Sequence, residues 1–261
     1  IENTAYPSLS ARATDRLTTA KDGTLALSIR HPMDATPMYP TRSLSRQFHL
    51  PAHVSPSIKI LLDHAHVRSV PTRHSVVHAG DASSPLFFLL NGSVSIVVEE
   101  SENREIVVAY LNAGDFFGEM GLFEEQPHRT AWVKTRTPCE IAEISYEKFH
   151  DLSRVYPDLT FAVFAQMSLR LKKTTRKVTD LAFLDVTGRI ARCLLDLSAQ
   201  PDTLKLIEGK QIRITRQEIG RLVGCSREMV GRVLKSLEEQ SMIRCDGKAI
   251  LIYETSKRTV D

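Results

Sequence analysis

The chain has 261 residues, 42% of them apolar, enough to bury a core in each of two domains of ordinary size. Its 34 Lys and Arg against 31 Asp and Glu leave a formal charge of +3, too little to argue for nucleic acid from the whole chain, and no apolar stretch approaches the ~18–20 residues that cross a membrane. The four cysteines, Cys139, Cys193, Cys225 and Cys245, are widely spaced with no C-x-x-C pair, and the N-terminus lacks the basic-then-apolar order of a signal peptide; the expectation is a soluble, cytoplasmic protein with reduced, mostly buried thiols and neither a zinc site nor a disulfide framework.

Residues 1–50 are rich in Ser, Thr, Ala, Arg and Pro without a sustained apolar period, and read as a disordered or extraneous tail to which no function is assigned. From about residue 57 the pattern turns to β. "LFFLL-NG-SVSIVVEE" places two strand-like runs around Asn91-Gly92, the dipeptide suited to a tight hairpin, and further runs follow at Glu105–Leu111, Ala131–Thr135 and Ile141–Ile144. Short strands at this spacing predict a β-barrel or jelly roll over 51–156. From Pro157 the period becomes helical: Leu159, Val163, Gln166, Met167, Arg170, Leu171, Thr174, Val178 and Leu181 recur at steps of three and four. A helix of this length over 157–184 carries more apolar stripe than one barrel can cover, so a second copy of itself is the economical partner; the alternative is a helix lying across its own barrel.

"AFLDVTGRIARCLLDL" predicts the next helix, with Asp185 and Thr187 as cap candidates. The region 185–261 continues with a short strand, a helix from Thr215, a turn at Gly224-Cys225, a helix from Ser226 and a hairpin closed at Asp246-Gly247, a winged helix-turn-helix. Ile219, Val223, Val230 and Leu234 are the positions that lock its two helices. The second helix puts Arg227, Glu228 and Arg232 on one face. An arginine can bridge guanine O6 and N7 and a glutamate can accept from a cytosine amino group, so these three fit base reading in double-stranded DNA. Thr215, Arg216, Gln217, Ser226 and Lys235 fit phosphate contacts that set the register. From Val186 onward fourteen Lys and Arg stand against ten Asp and Glu, so the basic excess sits in this domain.

The other constellation is "GEMGLFEEQPHRTAW", residues 118–132. Gly114, Gly118 and Gly121 do not match G-x-G-x-x-G, and no βαβ unit surrounds them. A glycine before a short helical turn leaves N–H groups free for an anion, with Arg129 and Thr130 adding a charged fork and a hydroxyl. Glu119 would be repelled by a phosphate unless it faces a ribose hydroxyl. Residue chemistry alone leaves two readings, a ribose-phosphate site and a plain surface loop. An enzyme is not expected, because neither a metal-ligand cluster nor a paired nucleophile and base surrounds Glu119 and Arg129.

The runs "NAGDFFGEMGLFEE", "RTAWV", "CEIAEISYEKF", "LAFLDVTGRIA", "QIRITRQEIGRLVGCSREMVGRVLKSLEEQ" and "GKAILIY", in order over about 57–253, resemble the cyclic AMP receptor protein (catabolite activator) family of bacterial transcription regulators. The resemblance implies an α+β chain: an N-terminal β jelly-roll cyclic-nucleotide-binding domain, a long central dimerisation helix and a C-terminal winged helix-turn-helix. It implies that Gly118 and Glu119 hold the ribose of cyclic AMP, Arg129 and Thr130 its cyclic phosphate, and Thr174 and Thr175 its adenine, the last across the homodimer. It further implies a hinge at Phe183–Asp185, palindromic DNA with TGTGA-like half-sites, and contacts to RNA polymerase. Those contacts would use the loop "QPDTLKLIEGK", with Thr203, Leu204 and Lys205, and a barrel patch with His66 and Lys148, where Arg68 replaces a histidine. Leu206-Ile207 departs from the family's more polar loop, and Thr130 and Thr175 stand where familiar members carry serine. Both threonines keep the hydroxyl. The alternative ligand is cyclic di-GMP, to which relatives with a changed pocket respond.

Overall fold

The computed structural model describes residues 56–101, 104–124 and 128–253, together with the backbone of β1 (Thr18–Thr19) and β2 (Leu25–Ala26), an antiparallel pair within a unit spanning Ile1–Gln47. The reading of the remaining N-terminal residues lies outside the described residues. All further elements belong to the second unit, Phe48–Asp261.

That unit opens on a helix, α1 (Pro56–Asp63), where the β pattern was expected to begin. Pro56 suits a first helical position, and Ile58, Leu61 and Leu62 return to one buried face. Eight strands follow: β3 (His66–Val70), β4 (Ser75–Val77), β5 (Pro85–Asn91), β6 (Ser93–Ser101), β7 (Arg104–Asn112), β8 (Phe116–Phe117), β9 (Trp132–Thr135) and β10 (Cys139–Ser145). They form two four-stranded antiparallel sheets in the orders β3-β10-β5-β8 and β4-β9-β6-β7, the jelly roll that the strand spacing predicts. β5 is buried on both faces, which is why its sequence reads as a continuous apolar run rather than an alternation. Phe87 and Leu89 face the other sheet, and Phe87 stacks on Phe117, its cross-strand partner on β8, with ring centroids 4.7 Å apart. Leu86, Phe88 and Leu90 face the covering helices.

The hairpin expected at Asn91-Gly92 is not one. β5 pairs with β10 and β8, β6 with β7 and β9, and the chain crosses from one sheet to the other at this dipeptide. Gly92 has φ 91°, and a Cβ there would come within 2.4 Å of the Pro138 carbonyl oxygen. The dipeptide thus supplies the backbone for a corner as readily as for a hairpin, and local sequence does not say which strand comes next to which.

A second helix not anticipated from the sequence, α2 (Tyr146–Val155), is capped by Ser145, whose hydroxyl accepts from the Lys148 N–H at 3.2 Å. It buries only Phe149 and Leu152, too few apolar positions to announce a helical period. The long helix, α3 (Asp158–Phe183), runs 26 residues and divides the two readings of its stripe between its halves. Leu159 and Val163 are buried against the barrel and α1, whereas Leu171, Val178 and Leu181 are 68%, 61% and 59% exposed.

The C-terminal domain begins at α4 (Val186–Ser198), whose cap is Asp185, accepting from the Gly188 N–H at 2.8 Å, rather than Thr187. Then come β11 (Leu204–Leu206), β12 (Gly209–Arg213), α5 (Arg216–Val223), α6 (Arg227–Glu239), β13 (Ile243–Asp246) and β14 (Ala249–Tyr253), with sheet order β11-β12-β14-β13. The segment expected as a loop, "QPDTLKLIEGK", therefore contains a β11–β12 hairpin. The predicted locking residues Ile219, Val223, Val230 and Leu234 are all in one core with Ile190 and Leu194 of α4.

Candidate ligand pocket and nucleic-acid interface

At the end of β8 the chain enters a single 3-10 helix, η1 (Glu119–Phe123), from Gly118 at φ 78°. A Cβ on Gly118 would lie 2.5 Å from Nη1 of Arg129, so only glycine lets the arginine close on this turn. Arg129 is 8% exposed. Its Nη2 donates to the Pro85 carbonyl at 2.8 Å, its Nη1 to the Tyr146 hydroxyl at 3.3 Å and the Gly118 carbonyl at 3.4 Å, and its guanidinium lies 5.1 Å from the Phe87 ring centre. All these acceptors are neutral. Among the described residues no carboxylate pairs with this buried permanent cation, which sits beside the start of η1. Such a charge is costly unless an anion joins it.

Glu119 is equally buried and is held from α3. Arg170 Nη1 donates to Glu119 Oε1 at 2.9 Å, and its Nη2 donates to the Phe116 carbonyl. Gln166, one turn earlier, accepts from the Phe116 N–H and donates to the Gly114 carbonyl, both at 2.8 Å. The structure therefore brings together Gly118, Glu119 and Arg129. Thr130 is exposed, its hydroxyl 3.6 Å from Met120 Sδ. Thr174 and Thr175 are exposed on α3, one turn beyond Arg170. Arg170 and Gln166, which the sequence reading placed only in the period of the long helix, and Tyr146 were not read as site residues. Arg170 had a signal, since it precedes Thr174 by four residues on one helix face; Tyr146, which donates to the Gly118 carbonyl at 2.5 Å and meets Ser83 Oγ at 2.6 Å, had none.

In the second constellation, Thr215 accepts from the Glu218 N–H at 3.1 Å and Ser226 from the Met229 N–H at 3.2 Å, so both predicted caps are used as caps, with Gly224 in the left-handed conformation between the helices. Val230, Val233, Leu234 and Leu237 bury one side of α6 and leave Arg227, Glu228, Arg232 and Lys235 exposed on the other. Arg216 lies along Gly231, where a Cβ would be 3.4 Å from its Nη1, so it extends the basic face of α6. Hydrogen bonds from its own N–H and from Ser226 hold the Glu228 carboxyl below the usual carboxylate range, keeping it an acceptor near neutral pH. Gln217 and Thr215 instead line a cleft facing Glu105, Tyr110 and Lys134 of the barrel.

His66 and Lys148 are exposed on the barrel, but Arg68 Nε is paired with Glu143, which offsets its charge. Thr203 is tied to the Leu197 carbonyl at 2.9 Å, Leu204 and Lys205 are exposed on β11, and Ile207 stands free at the hairpin tip. Among the described residues no group of His, Cys, Asp and Glu could hold a metal, and no helix is long and apolar enough to cross a membrane.

Residues 67–156 match the cyclic nucleotide-binding domain model and 212–243 the model for bacterial regulatory proteins of the crp family. The chain is 54% identical over 198 residues, 75% of its length and 92% of the relative's, to the cAMP-activated global transcriptional regulator Vfr of Pseudomonas aeruginosa. It is 50% identical over 200 residues, 77% of its length and 95% of the relative's, to the cAMP-activated global transcriptional regulator CRP of Escherichia coli. The chain belongs to the crp family. A solved structure described as the c-di-GMP responsive global regulator CLP of Xanthomonas campestris is 46% identical, with TM-score 0.71, covering 76% of this chain and 99% of that one. Within the crp-family framework, Gly118, Glu119, Arg129 and Thr130 fall inside the nucleotide-binding match and the α5–α6 face inside the regulatory one, whereas Thr174, Thr175 and Thr203–Lys205 lie between them.

Proposed function

We propose that this chain is a cyclic-AMP-responsive, homodimeric transcription regulator that binds palindromic double-stranded DNA and acts with RNA polymerase in the cytoplasm, without catalysing a reaction. The observation that carries the ligand reading is the buried Arg129, without a carboxylate partner among the described residues, beside Gly118 and Glu119. A cyclic phosphate supplies the missing negative charge, and Glu119, oriented by Arg170, accepts from a ribose hydroxyl. Thr130 adds a hydroxyl at the phosphate. Thr174 and Thr175 reach the base from α3, Thr175 across the dimer.

The dimer reading rests on the seam of α3. Phe164, Leu171 and Val178 recur every seven residues, as do Met167, Thr174 and Leu181, alternating in steps of three and four as coiled-coil core positions do. Leu171, Val178 and Leu181 are largely exposed in one chain, and a second α3 covers them. A nucleotide that touches both copies of α3 favours one arrangement of the dimer by the difference in its affinity for the two states, and that difference is all it can transmit. In the favoured arrangement Arg227, Glu228 and Arg232 of each chain read bases in successive major grooves, while Arg216, Ser226 and Lys235 contact phosphates and Thr215 and Gln217, turned toward the barrel, do not. The start of β11, with half-buried Thr203 and exposed Leu204 and Lys205, and the barrel-domain residues His66 and Lys148 are the surfaces offered to polymerase.

Cyclic di-GMP remains the second reading because of the 46% likeness to CLP, but the relatives at 54% and 50% identity are described as cAMP-activated. Calorimetry with each nucleotide decides: tight binding of cyclic AMP and weak binding of cyclic di-GMP is expected, and the reverse order overturns the assignment.

A further inference from the structure

The helix-turn-helix is not tethered to the rest of the chain by the Leu184 hinge alone. Tyr110, on β7 of the barrel, packs its ring against the core of the C-terminal domain and donates its hydroxyl to Glu218 of α5 at 2.6 Å. Arg136, just past β9, lies over the Tyr110 ring at 3.7 Å, donates to Ser93 Oγ at 3.1 Å, and stands 3.8 Å from both Glu218 and Asp202. Two more links flank this pair: Arg221 of α5 meets Glu105 of β7 at 2.6 Å, and Asn112 donates to Gln200 at 2.9 Å. On the barrel side Lys134 bonds Glu105 and Glu99 at 3.2 and 3.0 Å, so these β6 and β7 carboxylates are already engaged. Burial and the neighbouring Glu218 carboxylate push the Tyr110 phenol well above its ordinary range, so it stays a donor at any pH at which the protein is used.

Throughout this docked arrangement Arg227, Glu228, Arg232 and Lys235 remain exposed. The contacts therefore do not hide the reading face; they fix where it points. A two-fold symmetric protein reads a palindrome only if its two recognition helices keep one separation, about 34 Å for successive major grooves. An extended hinge at Leu184 has no means of fixing that separation by itself.

We propose that Tyr110 and Arg136 are positioning residues for DNA recognition: they latch the helix-turn-helix to the barrel of its own chain and so set the spacing between the two recognition helices. This rests on the reading of α6 as the base-reading helix of a dimer. The latch accounts for a tyrosine and an arginine on the barrel that touch neither the nucleotide pocket nor the reading face.

The test uses the full-length protein with Tyr110→Phe, which keeps the ring and removes only the hydroxyl, and Tyr110→Phe/Arg136→Gln, which releases the latch. Anisotropy titrations with saturating cyclic AMP measure a palindromic duplex, the same duplex lengthened by one base pair between its half-sites, and a random duplex. Losing charge-assisted bonds across the latch should weaken the palindrome about tenfold in the double variant and a few-fold in Tyr110→Phe. Random-duplex binding and the cyclic AMP affinity should be unchanged. The ratio of affinities for the normal and lengthened palindromes, large in the unaltered protein, should fall toward one, a change that simple loss of folded protein does not produce. Unchanged spacing preference in the double variant overturns the proposal, and so does stronger palindrome binding without nucleotide, which would make the latch inhibitory. If the unaltered protein itself shows no preference for a palindrome, it is the DNA reading of α6 that has failed, before the latch is tested.

Discussion

Arg129→Leu should separate ligand binding from folding. The guanidinium is buried, and among the described residues it bonds to the Pro85 and Gly118 carbonyls and the Tyr146 hydroxyl and has no carboxylate partner. Removing it forfeits neutral-acceptor bonds worth about 1 kcal/mol each. It also removes the desolvation cost of an unpaired ion, several kcal/mol in the opposite sense. The two largely offset, so unfolding without nucleotide should shift by less than about 2 kcal/mol. Binding has no such offset. Two charge-assisted bonds to a cyclic phosphate, at about 1.5–3 kcal/mol each, correspond to a loss of at least about a hundredfold in cyclic AMP affinity. Titration calorimetry reads the affinity. A thermal scan with and without nucleotide reads the rest: the stabilisation of about 2.7 kcal/mol expected at a hundred times Kd should vanish in the variant. A variant that retains cyclic AMP affinity within tenfold, or that loses its fold without nucleotide, refutes Arg129 as the phosphate ligand.

Arg227→Ala should cost about 1–3 kcal/mol on the palindrome and relax preference at one base position in each half-site; uniform weakening across sequences would make it a phosphate contact. Leu171→Glu places a charge in the α3 seam, and losing the burial of one leucine from each chain, about 1.5–3 kcal/mol per side chain, should raise the dimer dissociation constant by at least a hundredfold in sedimentation equilibrium. An unaltered dimer would remove α3 as the interface. Burial pushes the Cys193 thiol from its ordinary 9.0 up to about 12. The unfolded chain then releases this proton first, so folding stability should fall as pH rises from about 9 toward about 12. Cys193→Ala should flatten that limb of a denaturation series, and an identical slope would contradict the assignment.

The helix-turn-helix is legible in the sequence because every signal there is local: Thr215 and Ser226 cap, Gly224 turns, and Ile219, Val223, Val230 and Leu234 interlock over fewer than twenty residues. What local signals leave open is pairing at a distance. Asn91-Gly92 marks a change of direction but not the crossing between sheets, and β11 is too short and too exposed to announce itself. The nucleotide site shows the same division. Gly118, Glu119, Arg129 and Thr130 lie within one stretch of chain, whereas Arg170, 51 residues from Glu119, is joined to it only by the packing of α3 on the barrel. Tyr110 and Glu218, 108 residues apart, are further still from anything a sequence pattern can link.

The central claim is that occupancy of the Glu119–Arg129 pocket governs the DNA affinity of α6. It is tested most directly by titrating a palindromic duplex with the full-length protein at a series of cyclic AMP concentrations and fixed salt. Affinity for the palindrome should rise with cyclic AMP and saturate with pocket occupancy, and Arg129→Leu should bind the duplex at the nucleotide-free level at every concentration. Palindrome binding that is indifferent to cyclic AMP, or that is released by cyclic di-GMP instead, contradicts the account.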